Sequence, residues 1–260
     1  GYAWPKKASL RVIRPEQGLK VGLDRKLELV RCFAQLAVSV DRIVAEQPDV
    51  VRSARLRRAV QQLADGARLQ PDLLRGLLHY DDKQSSVGLT TAAVTSMAIL
   101  IGLEMGLSAR PLVRLGLQAV YLGVSRSEEA NPESSSVQAL LRVATGELRP
   151  ELMPRMVGCF EVMALEDEPR EELRMGLDTQ VLALSSIFDR MTHGPGPHLP
   201  PDEAMHILAN DPQLSFDRRV VSLFVSVLGL FPVGSEVVLA TGERAVVVGL
   251  PSDRPQRHRP

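Results

Sequence analysis

Apolar side chains return every three or four residues through most of this 260-residue chain, and that period limits the fold more than any other feature. Leu29, Phe33, Leu36, Val40 and Ile43 share one helix face, with Asp24 as N-cap and Pro48 as the stop. Leu56, Ala59, Val60, Leu63 and Ala64 repeat the spacing in a second helix that Gly66 is expected to end, and Pro71 opens a short third one reaching residue 78. Residues 89–107 are apolar on most sides, as the central helix of a helical core would be, and Gly106 closes them. Further helices are expected over 110–122, 137–145, 150–165, 170–191, from Pro201, and over 216–229. After Phe231-Pro232 the period drops to two, and residues 237–239 and 245–248 around Thr241-Gly242-Glu243 read as a β-hairpin. The fold class is all-α, a helical bundle with a small C-terminal hairpin.

These patterns divide the chain into an N-terminal arm (1–22), a helical module (23–79), a main helical domain (80–232), the hairpin (233–250) and a polar tail (251–260). The polar cluster Asp81, Asp82, Lys83, Gln84, Ser85 and Ser86 marks the junction. The proline-rich residues 194–201 must be a surface loop, because proline removes amide donors and locks φ.

Lys plus Arg (31) balance Asp plus Glu (31), which removes the basic field that non-specific nucleic-acid binding needs. Aromatics make up 4% of the chain, so platforms for stacking bases are few. Arg52, Arg55, Arg57 and Arg58 crowd the second helix and suggest a phosphate-contacting surface, but interleaved apolar positions make a solvated helix face the better account. Cys32 and Cys159 lie in apolar runs without metal-ligand spacing, as buried free thiols would. The most apolar run, 92–103, falls short of the ~20 residues of a membrane span, and no secretory signal opens the chain, so a cytoplasmic location is expected. His79, His193, His198, His206 and His258 show neither a His-Asp pair nor two-ligand helical spacing, and no phosphate loop or nucleophile elbow is present. Pattern alone leaves an interaction module as the default.

Several segments nonetheless resemble one family. Tyr80-Asp81-Asp82, Ile101-Gly102-Leu103-Glu104-Met105-Gly106-Leu107, Leu115-Gly116-Leu117-Gln118-Ala119 and Ile187-Phe188-Asp189-Arg190-Met191-Thr192 follow one another as in the HD-GYP domains. Leu199-Pro200-Pro201-Asp202-Glu203-Ala204, Phe216-Asp217, the run from Leu228 through Phe231-Pro232-Val233-Gly234, and the hairpin are similar to that family's closing elements. The resemblance spans residues 71–250 and implies the HD-superfamily bundle of metal-dependent cyclic di-GMP phosphodiesterases. HDOD domains, a second HD-superfamily group, are the runner-up; the terminal Phe-Pro-Val-Gly and hairpin favour HD-GYP.

Laid onto this chain by the flanking matches, the family's first metal histidine falls on Thr90 and its His-Asp pair on Leu122-Gly123. Its lysine falls on Arg126, its paired histidines on Val162-Met163 after Phe160-Glu161, and its last metal aspartate on Ser186. No Gly-Tyr-Pro follows. Leucine, glycine, valine and methionine supply no hard donor, so the expectation is a protein without metal or cofactor.

The resemblance therefore implies a catalytically inactive HD-GYP-like protein, a protein-interaction or scaffolding module in bacterial signalling whose partner is another protein. The stripe Leu29, Phe33, Leu36 and Val40 must dock, either on the chain's own core or on a second copy, and a homodimer is the favoured expectation. The loop 194–201 is a second candidate surface. A non-hydrolysing cyclic di-GMP receptor using Arg126 is the alternative, and a hydrolase using Glu161, Asp178 and Asp189 is the third reading; each acid is more simply a solvated or capping group.

Overall fold

The computed structural model describes residues 23–46, 50–80, 86–129, 153–167, 175–194, 197–210 and 216–250. Among these residues the chain forms nine helices and a two-stranded hairpin, the all-α architecture expected from the period. In chain order they are α1 (Leu23–Glu46), α2 (Val50–Leu69), α3 (Pro71–Gly76), α4 (Val87–Glu104), α5 (Ala109–Glu129), α6 (Met153–Asp167), α7 (Leu177–His193), α8 (Pro201–Asn210) and α9 (Arg218–Leu228). Strands β1 (Glu236–Val238) and β2 (Arg244–Val246) follow and pair antiparallel, with Val237 opposite Ala245 and Gly242 in the turn at φ 85°. The arm, the tail, the junction at 81–85 and the expected helix at 137–145 lie outside the described residues.

α4 is the centre. Residues 91–102 are buried without interruption, and α1, α2, α5, α7 and α9 all pack on it. It is 18 residues long with a hydropathy of 1.6, so it does reach the length and apolarity of a membrane span, contrary to expectation. Inside the fold 72% of it is buried, as in the core helix of a globular protein. Ser86 caps it, its side chain accepting from the Leu89 amide at 3.1 Å, and Gly106 at φ 76° turns the chain toward α5.

α1 belongs to the same core. Leu29, Phe33, Leu36 and Val40 are buried in a single apolar cluster with residues of α2, α4 and α5. This corrects their assignment as an interaction surface: of the two docking partners the stripe allowed, the chain's own core covers it. α4 and α5 supply apolar partners for it in that cluster, and burying such a side chain stabilises by about 1.5–3 kcal/mol. The helices are tied by a polar contact too, because the Asp41 carboxylate of α1 accepts from the Gly88 amide at 2.7 Å and the Ser86 hydroxyl at 2.8 Å. An acid thus sits at the positive end of α4.

Helix ends differ from expectation at three places, the first being α1, which begins at Leu23 and so includes Asp24, the expected N-cap. α2 runs through Gly66 to Leu69, and α5 runs past residue 122 to Glu129. At Gly66 a Cβ would come within 2.6 Å of Leu29 Cδ1, so the glycine serves close packing of α1 on α2 rather than termination.

Candidate functional site

Asp189 is the most deeply buried acid among the described residues, with 2% of its surface exposed. It lies on α7, whose apolar face presses Val181, Leu182, Leu184 and Phe188 into the core and carries the carboxylate in with them. Tyr80, just after α3, donates its hydroxyl to Asp189 Oδ1 at 3.2 Å, and that hydroxyl also lies 3.4 Å from Thr90 Oγ1 on α4. His193, one turn along α7, places Nδ1 3.5 Å from Asp189 Oδ1 and 2.9 Å from Thr192 Oγ1. The Tyr80 and His193 rings stack at 4.1 Å between centroids, 12° from parallel. One carboxylate therefore ties three segments together.

Burial pushes the Asp189 carboxyl above the ordinary aspartate range, while the hydrogen bonds from His193 and Tyr80 and the charge of Arg126 pull it part of the way back. A native carboxyl that holds its proton more tightly than the unfolded chain destabilises the fold as pH rises through the native value, and the cost is complete above it. Asp189→Asn keeps an acceptor for Tyr80 without the charge. It should stabilise the protein at pH 7, with a smaller gain at pH 4. Urea unfolding at the two pH values checks this. A loss of stability at pH 7 would mean that the negative charge itself holds the cluster.

The positions implied by the resemblance come together in part. Thr90 meets Asp189 through Tyr80, and Ser186 is fully buried one turn before Asp189 on α7. Gly123 lies against the neighbour of Thr90: a Cβ there would be 2.0 Å from Thr91 Oγ1. Leu122, Val162 and Met163 are core residues of α5 and α6. Arg126 is half-buried in the last turn of α5, and its charge acts inward on Asp189 and Cys159. Glu161 and Asp178 stand apart from the cluster, Asp178 pairing with Arg114 at 3.4 Å near the surface. Among the described residues no three His, Cys, Asp or Glu side chains are placed to hold a metal ion. Both thiols are buried, and desolvation pushes Cys159 up to about 12.

Sequence reasoning missed Tyr80 and His193 as partners of Asp189. The signal available was Asp189-x-x-x-His193, an i,i+4 pair on one helix face. Beside Thr192 and His193, with Arg75, His79 and Phe188 in its wall, is a cavity of about 20 Å³. That volume holds about one water molecule, whereas small-molecule sites run to ~300 Å³ or more. The cluster can orient a water or brace the helices; it cannot admit a dinucleotide in this arrangement.

A different feature offers room. Between α1 and α2 runs an open groove of about 510 Å³, lined by Arg31, Ala34, Val38 and Arg42 from α1 and by Arg55 and Arg58 from α2, among others. On another side of α2, Arg155 of α6 is half-buried with Arg57 and Arg114 nearby. Desolvation lowers its guanidinium from the ordinary range, and its contact with Tyr121 offsets part of this.

The chain is thus an all-α protein built on α4, with a closed polar cluster on one side and a basic groove on another. None of the protein-family models, curated proteins or solved structures compared with it matches it. The likeness to HD-GYP domains rests on the sequence motifs.

Proposed function

We propose that this protein is a non-catalytic, HD-GYP-like interaction module that works by binding another protein, in the setting of bacterial signalling that the resemblance implies. One observation carries the reading: where the family would place metal ligands, Leu122, Val162, Met163 and Ser186 are close-packed core residues. Side chains packed in this way stabilise the helical frame, and apart from the Ser186 hydroxyl they offer a metal no ligand. The frame then serves to present surfaces.

The alternative, a cyclic di-GMP receptor, depends on Arg126, half-buried in the last turn of α5. The two readings separate in titration calorimetry with cyclic di-GMP. No heat of binding at ~100 μM, and no hydrolysis when manganese or ferrous iron is added, is the expected result. Binding abolished by Arg126→Ala would establish the receptor instead, and turnover would overturn both.

A further inference from the structure

We infer that the groove between α1 and α2 is a docking site for an amphipathic helix of another protein, apolar along its middle and acidic along its flanks. The inference rests on the interaction reading above and supplies its surface and partner. The antiparallel course of the two helices sets the geometry: Gly66 near the end of α2 lies against Leu29 near the start of α1. Arg42 and Arg55 therefore stand toward one end of the groove, and Arg31 and Gln62 toward the other. The α1 wall repeats at Arg31, Ala34 and Gln35, Val38 and Arg42, and the α2 wall at Arg55, Arg58 and Ala59, and Gln62. Both are i, i+3/4, i+7 rows, the spacing that receives a third helix in the groove of a pair.

Charge selects the occupant. Four guanidinium groups line the groove without one acid among the lining residues, and none of the four makes an ion pair among the described residues. This concentration stands out in a chain with zero formal net charge. Ala34, Val38 and Ala59 add apolar surface to the lining, and Val38 is 49% exposed. Arg31 and Arg42 are eleven residues apart, about 16 Å along the axis, so carboxylates three turns apart on the incoming helix would reach both ends. The chain's own arm does not suit the groove, since residues 1–22 carry Lys6, Lys7, Arg11, Arg14 and Lys20 against Glu16 alone. A nucleic acid suits it less than a peptide, because no aromatic side chain lines the groove for stacking bases.

The test uses the full chain and a designed labelled probe, an 18-residue helical peptide with a leucine stripe and glutamates at three-turn spacing on its flanks. Fluorescence anisotropy should show binding at micromolar concentration, weakened roughly tenfold or more by Arg42→Glu with Arg58→Glu and by raising salt to ~0.5 M. The same peptide with glutamine in place of glutamate should bind far less, and Arg244→Glu on the hairpin should change nothing. These arginines are exposed, so circular dichroism of the variants should match the parent.

Binding that ignores the groove variants, or stronger binding of a single-stranded RNA of equal charge, overturns the inference. A photo-crosslinker at position 38 in the native cell separates it from the broader reading. Crosslinks to an acidic helical segment of another protein support the groove. Crosslinks only to a second copy of this chain overturn the proposed occupant. Partners that co-purify equally well with the groove variant overturn the groove while leaving an interaction protein. A chain that captures no protein at all removes both.

Discussion

Introducing the His-Asp pair that the HD-GYP resemblance implies, Leu122→His with Gly123→Asp, should lower stability by more than about 3 kcal/mol and create no metal site. Leu122 is fully buried in the apolar cluster of α5, so an imidazole there loses the apolar contact and lies without a partner. Gly123 is the harder constraint. A Cβ would stand 2.0 Å from Thr91 Oγ1 and 2.8 Å from Thr91 Cγ2, so any side chain drives α5 off α4. An aspartate adds a charge against the side chain of Thr91, at a helix contact with no room for it. Thermal unfolding of the double variant, with elemental analysis, gives the result. Gly123→Ala alone separates the steric part, expected at about 1–3 kcal/mol. A double variant as stable as the parent and holding one or two iron or manganese ions would show a latent metal centre, and the non-catalytic reading would fail.

Gly88→Ala should be about as damaging, at roughly 2–4 kcal/mol, through a single methyl group. Its Cβ would lie 2.0 Å from the Ala37 carbonyl oxygen and 2.7 Å from the Asp41 carboxylate. The first of these is backbone, which cannot rotate away. α1 must withdraw from α4, and in doing so it breaks the Asp41 bonds to the Gly88 amide and the Ser86 hydroxyl. Asp41→Ala removes only that cap and should cost about 1–2 kcal/mol. Urea unfolding ranks the two, and amide hydrogen exchange should show α1 losing protection first in Gly88→Ala. Equal stability of Gly88→Ala and the parent would mean that α1 is not seated on α4 as described.

The helices themselves were legible because their signals are local. The three- and four-residue recurrence of Leu29, Phe33, Leu36 and Val40, the proline opening α3, and the switch to period two before β1 each act within a few residues. Gly66 shows where such reasoning fails. Alone it looks like a terminator, yet α2 continues through it because Leu29, thirty-seven residues earlier, needs the space.

The amphipathic stripe of α1 was equally plain, but not what would cover it. An apolar face states that it must be buried and leaves open whether the chain or a partner buries it. Packing decided that, and it turned the other face of α1 outward beside α2, where Arg31 and Arg42 line the groove with Arg55 and Arg58. The same holds for Asp189. Its helix was foreseen, whereas its union with Tyr80, 109 residues away, depends on how α3, α4 and α7 assemble. Local periods and caps therefore determined the class of fold from sequence alone. The sites were decided by tertiary structure, because they are made of contacts between residues whose separation along the chain carries no pattern.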